Sequence, residues 1–168
     1  MSIRLRVSLV TLLVTLVACD PVQSDAVAAL GGEAPGVRRG PLHRPGQPCL
    51  VCHDGSLGSP EGFSVAGTVF ERIDGASGAN GVTVLLEDAA GAKKSATTNT
   101  AGNFYVLSSQ WHPRYPLTVS ISPPSGPAIT MQSLIGWSGS CATCHTPPVG
   151  PDSAGPVAIE LEDGGTPP

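Results

Sequence analysis

The chain has 168 residues and a formal net charge of −4, room for one domain with appended segments but not for a multi-domain enzyme. Only 13% of the residues are charged, and 21 glycines with 17 prolines describe a chain of strands and turns rather than of solvated helices. An acidic balance without a basic face excludes nucleic acid as a partner.

Met1 to Arg6 is short and basic, and Val7 to Val17 is an apolar run of eleven residues. That run cannot span a bilayer core, which takes about 20 residues, but it has the length of the apolar region of an export signal. Residues 1–18 are therefore expected to be a signal peptide. Its removal takes Arg4 and Arg6 with it, leaving 7 basic against 13 acidic residues and a net charge of −6. The next residues, Leu16-Val17-Ala18-Cys19, resemble the bacterial lipobox, in which a cysteine after a small residue is thioether-linked to diacylglycerol. The resemblance implies lipidation of Cys19 and a chain anchored to a bacterial membrane, facing the periplasm or the cell exterior. Several acyl chains hold a protein there, whereas one binds only marginally. The competing reading is an ordinary leader cut at Ala26-Val27-Ala28, nine residues beyond the apolar run.

Residues 19–48 carry Ala, Gly, Pro and Arg without sustained periodicity and are expected to be a flexible tether with a reach of roughly 30 Å. Residues 49–62 form a first chemistry-bearing segment that opens Cys49-Leu50-Val51-Cys52-His53. A strand-rich unit follows over residues 63–134. Runs at Ser64–Glu71, Gly81–Glu87, Lys93–Asn99, Asn103–Ser108 and Pro116–Ser122 are rich in Val, Thr, Leu and aromatics and are separated by Gly, Asn and Asp turns. Val82, Val84 and Leu86 alternate, as do Leu117, Val119 and Ile121, so one face of each strand should be buried. Ala128–Leu134 is a sixth candidate strand, and Val157, Ile159 and Leu161 alternate in a seventh. The expected fold class is all-β, a small antiparallel Greek-key-like β-sandwich. Residues 135–161 hold a second segment, Cys141-Ala142-Thr143-Cys144-His145, before the last strand, and 162–168 form a tail.

The stretches G-T-V-F-E-R at 67–72, G-V-T-V-L-L-E-D at 81–88 and T-T-N-T-A-G-N-F-Y at 97–105 resemble the carboxypeptidase regulatory-like, transthyretin-like β-sandwich. The resemblance covers about 60 residues and implies a fold without a chemistry, because such sandwiches host many roles.

Both pentapeptides are C-x-x-C-H, the spacing of c-type haem attachment. Two thiols two residues apart add across the two vinyl groups of one macrocycle, and the adjacent histidine reaches the iron beneath it. With 4 histidines in 168 residues, composition alone places a histidine after both pairs about once in two thousand sequences. Paired disulfides are compatible with export but leave His53 and His145 unexplained. A Cys₄ zinc site would have to join pairs separated by 88 residues, in a compartment that favours oxidised thiols. At these residues the chain resembles small dihaem c-type cytochromes. That resemblance implies two c-type haems, on Cys49 and Cys52 and on Cys141 and Cys144, with His53 and His145 as iron ligands. His43, His112 and Met131 are the candidates for the opposite positions, and the sequence does not choose among them; Met/His ligation would raise the potential over bis-His. Trp111, Tyr115 and Trp137 are expected to pack on a macrocycle or in the core. An even number of antiparallel strands between the motifs should return both to one end of the sandwich.

The functional expectation is a membrane-anchored carrier of single electrons rather than an enzyme. Its partners would be redox proteins or an extracellular electron acceptor, with the haem-attachment machinery acting during maturation. The alternatives are a dihaem peroxidase-like enzyme, which needs an open iron position and an acid or base beside it, and a non-redox surface lipoprotein whose C-x-x-C pairs are disulfides.

Overall fold

The computed structural model describes residues 21–33, 35–56 and 61–160. The expected leader, Cys19, Leu161 and the tail at 162–168 lie outside them. Among the described residues no helix is long and apolar enough to cross a membrane.

The fold is all-β with one short helix, α1 (Pro21–Ala29), and seven strands: β1 (Phe63–Arg72), β2 (Thr83–Glu87), β3 (Lys93–Thr97), β4 (Asn103–Leu107), β5 (Thr118–Ser122), β6 (Ile129–Thr130) and β7 (Val157–Glu160). They form a three-stranded sheet in the order β4-β1-β7 and a four-stranded sheet in the order β3-β2-β5-β6. Alternation decides which residues meet between them. Val82, Val84 and Leu86 point inward from the β2 region and Leu117, Val119 and Ile121 from the β5 region. They meet Val65, Val69, Phe104 and Val106 of the other sheet in a single core. Leu86 and Leu117 are wholly buried there.

Two features depart from the expected pattern. The first is β1, which is buried on both faces from Val65 to Phe70 instead of alternating. Val65 and Val69 face the core. Thr68 and Phe70 lie on the opposite face and meet residues preceding the strand: the Gly46 N–H donates to Thr68 Oγ1 (2.8 Å), and a methyl at Gly46 would lie 3.2 Å from Phe70 Cζ. The uninterrupted run of small and apolar residues from Ser64 to Phe70 is the sequence sign of a strand covered on both sides. The second departure is β7, which pairs with β1 in parallel, Val69 opposite Val157 and Phe70 opposite Ala158, whereas the other pairings among named strands are antiparallel.

Within the segment expected as a flexible tether, the described residues hold a helix and bonds to the sandwich. Residues 21–29 form α1, and residues 41–48 lie across the outer face of the three-stranded sheet. Asn99 Nδ2 donates to Pro41 O (2.6 Å), and Asn103 Nδ2 donates to both Pro41 O (3.2 Å) and His43 O (2.9 Å). Turn and strand-end asparagines satisfy carbonyls that lack a ladder of their own. Composition missed this because the bonds are to the backbone of Pro41 and His43, which any sequence supplies.

The connection between β4 and β5 is pinned at the β2–β3 turn. Asp88 accepts from the N–H groups of Ala90 and Ala92 (2.9 Å each) and of Arg114 (3.1 Å). These donors, Arg114 first, hold the Asp88 carboxyl below the ordinary carboxylate range. Its folded-state pKa is depressed, so its contribution to stability is present above the unfolded value and fades as pH falls through the folded one. Asp88→Asn is expected to lower the thermal midpoint at neutral pH and to flatten its acid-side decline in a pH-resolved melting series. Leu117→Ala should cost about 2–5 kcal/mol in chemical denaturation, as large-to-small changes at sealed core sites do.

Candidate functional site

Both C-x-x-C-H segments fold as the same local unit. Cys49–Val51 and Cys141–Thr143 are single 3-10 turns. In the first, the N–H groups of Cys52 and His53 return to Cys49 O at 3.1 and 2.9 Å; in the second, those of Cys144 and His145 return to Cys141 O at 3.2 and 3.0 Å. These bonds close one backbone turn that carries both thiols and the histidine of each motif. The four cysteines of the two motifs are free thiols.

Both turns pack against β1, and the second reaches it by an unusual route. Ser140 bridges Ala66 in parallel, with the Ala66 N–H donating to Gly139 O (2.9 Å). β7 then continues along the same edge of β1 from Val69 onward. The second motif is therefore an excursion, residues 141–156, inserted into one parallel edge strand. Gly67 makes the docking possible: a methyl there would lie 2.7 Å from Cys141 Cβ and 2.8 Å from Cys141 Sγ. Burial first, and the Cys49 and Cys144 charges after it, push the Cys141 thiol up to about 12. Burial likewise raises Cys49. The two motifs thus lie within electrostatic reach of one another on one strand, although 88 residues separate Cys52 from Cys141.

Each motif histidine is oriented by its Nδ1. His53 Nδ1 lies 3.2 Å from Glu61 O and His145 Nδ1 lies 3.0 Å from Gly155 O. A carbonyl can only accept, so both rings carry their proton on Nδ1 and leave the Nε2 lone pair available as a ligand. The excursion holding His145 closes on itself through Ser153, whose hydroxyl accepts from the N–H groups of Thr146 (2.9 Å) and Gly155 (3.0 Å). The Ala154 N–H donates to Cys144 O (2.9 Å). The His53 ring continues a stack: it lies 4.2 Å from Phe63 at 5° between planes, and Phe63 lies 4.5 Å from Tyr105 at 13°.

The three remaining candidate ligands fall in different places. His43 stands beside the first motif, its ring centre 5.9 Å from that of His53 and its plane 80° away. His112 is exposed on the connection between β4 and β5. Met131 packs against the sandwich core, its N–H donating to Val119 O (3.0 Å). Trp111 and Tyr115 also pack on that core, whereas Trp137 is 76% exposed. Among the described residues, no three His, Cys, Asp or Glu side chains converge as metal ligands.

Four contributors escaped sequence reasoning: Glu33 and Arg44 beside His43, Gly67 beneath Cys141, and Ser153 behind His145. Only Ser153 carried a local sign, its place in the turn run Pro151-Asp152-Ser153-Ala154-Gly155-Pro156. Gly67→Ala should displace Cys141 and destabilise the protein by about 1–3 kcal/mol, the range for overpacking. Gly136→Ala, with nothing within 4 Å of the added methyl, should leave the denaturation midpoint unchanged. Compared with known protein families, curated proteins and solved structures, the chain matches none.

Proposed function

We propose that this chain is an exported, lipid-anchored dihaem c-type cytochrome that passes single electrons. The observation that carries the reading is the repeated turn-and-histidine geometry: two distant pentapeptides adopt one backbone hydrogen-bond pattern, each with an Nδ1-anchored imidazole and two free thiols. Metal-bound histidines ordinarily donate the second ring N–H to a carbonyl or carboxylate in this way. Neither a disulfide nor a structural turn requires it.

The residues present fit the group. Cys49 with Cys52, and Cys141 with Cys144, would carry the thioethers, and His53 and His145 would supply the proximal nitrogens. A tetrahedral zinc cage needs several converging protein ligands, whereas a porphyrin supplies four nitrogens itself and asks the protein for one or two. Apolar surface for a macrocycle is also available. Among the large hydrophobics that stand exposed, Val22, Val27, Val37 and Leu42 belong to the segment preceding the first motif, and Leu134, Trp137 and Val149 flank the second.

When bound, the haems would supply reversible one-electron chemistry at iron. The chain's own part would be to fix ligand orientation, to exclude water and to set potentials through hydrogen bonds to the ligands. The partners would be other redox proteins or an extracellular acceptor, met through small transient interfaces, and Cys19 would hold the chain on the membrane.

The test is expression of the full chain, leader included, in a host that matures c-type cytochromes. The expected product shows sharp c-type absorption bands, keeps its pigment through denaturing electrophoresis and weighs two haems more than the processed chain. An iron-free product with two intact disulfides would overturn the reading. Cys19→Ser should move the pigmented protein from the membrane fraction to the soluble fraction while leaving its spectrum unchanged.

A further inference from the structure

We propose that Glu33 is a positioning residue for the first haem: it holds His43 opposite His53 as the second axial ligand of one iron, and its charge lowers the potential of that haem. This rests on the dihaem reading above and adds to it a ligand pair and an inequivalence between the two centres.

Two imidazoles bonded through Nε2 on opposite sides of one iron, with bonds of about 2 Å, have ring centres about 6 Å apart. The His43 and His53 centres are 5.9 Å apart. His53 Nδ1 is occupied by Glu61 O, and His43 Nδ1 lies 3.3 Å from Glu33 Oε1, so both rings are left with Nε2 as the free nitrogen. Arrangement by chance is opposed by what holds Glu33 and His43 in place. Arg44 Nε donates to the same Oε1 at 3.0 Å. Its guanidinium also donates to Gly31 O (2.7 Å), Gln47 Oε1 (2.8 Å) and Leu30 O (3.5 Å). These bonds tie the end of α1 to the His43 loop.

The backbone at Arg44 is left-handed, at φ +51°, which no other non-glycine residue among those described adopts. Such strain persists only where the surroundings over-determine it. Glu33 Oε2 is buried without a hydrogen-bond partner among the described residues, an uncommon state for a carboxylate oxygen. The contacts to Arg44 and to His43 are both made by Oε1.

The electronic consequence follows from the acceptor. His53 and His145 face neutral carbonyls, and His43 alone faces a carboxylate. An imidazole donating Nδ1–H to an anion pushes more electron density through Nε2, favours the ferric state and lowers the potential.

The experiment is spectroelectrochemical titration and low-temperature electron paramagnetic resonance of the holoprotein, comparing wild type with Glu33→Gln and His43→Ala. Glutamine keeps an oxygen for the Nδ1–H and removes the charge. The expected result is that one of two midpoint potentials rises by about 59 mV, a tenfold change in the oxidised-to-reduced ratio of a one-electron couple, while both irons stay closed to carbon monoxide. His43→Ala should keep both haems attached and open one iron to carbon monoxide. Wild type with two haems whose potentials and resonance spectrum are unmoved by Glu33→Gln would overturn the role of Glu33. Absence of carbon monoxide binding in His43→Ala would overturn the ligand pair. A haem-free wild type would instead defeat the dihaem reading itself. Should Glu33→Gln fold poorly, Arg44→Lys, which loses the shared contact to Oε1 but keeps the charge, serves as the second variant: a shifted resonance signal of one haem supports the positioning role, and two unchanged signals overturn it.

Discussion

Strand β1 is the constraint on which the rest of the molecule depends. It is covered on both faces and paired on both edges, with β4 on one side and Ser140 followed by β7 on the other. A strand enclosed in this way has no room for bulk where neighbours press closest, and Ala66 and Gly67 occupy that stretch. Val65 and Val69 turn into the shared core, while Thr68 and Phe70 turn outward to receive residues 41–48. Both cysteine motifs dock on this one element. Their relative position is thereby set by the packing of a single strand rather than by the length of chain between them.

Two local units of identical backbone form sit in different surroundings. The first is framed by α1, by the Arg44 network and by the stacked rings of Phe63 and Tyr105. Gln23 Nε2 also donates to Val51 O within the turn itself. The second is framed by its own loop, closed through Ser153 and backed by the sheet at Gly67. Identical sequence logic, C-x-x-C-H, thus meets a helix-braced environment with the Glu33 carboxylate nearby in one case and a self-contained turn in the other. Surroundings of this kind set the two imidazoles apart, because hydrogen bonding and burial act on their donor atoms while the motif is unchanged.

The strands were legible because their signal is local. Val82, Val84 and Leu86 alternate over consecutive pleats, and a one-residue slip would turn all three to solvent; β2 accordingly forms where alternation places it. The parallel pairing of β7 left no such trace, because Val157, Ile159 and Leu161 alternate alike in either direction. The docking of residues 41–46 on the sandwich was equally invisible. It depends on Asn99, Asn103 and Thr68 reaching backbone groups from 22 to 62 positions away.

The amino-acid order by itself determined the two C-x-x-C-H units, since two thiols and an imidazole at fixed spacing need only one backbone turn to stand together, and that turn is a short-range structure. It also determined the all-β class, through periodicity that each strand expresses alone. Tertiary structure decided what stands beside those residues: His43 near His53, Met131 against the core, His112 in solvent, and Gly67 beneath Cys141. These neighbours are brought together by strand pairing and by side chain-to-backbone bonds between distant segments, and no window of consecutive residues contains both members of such a contact.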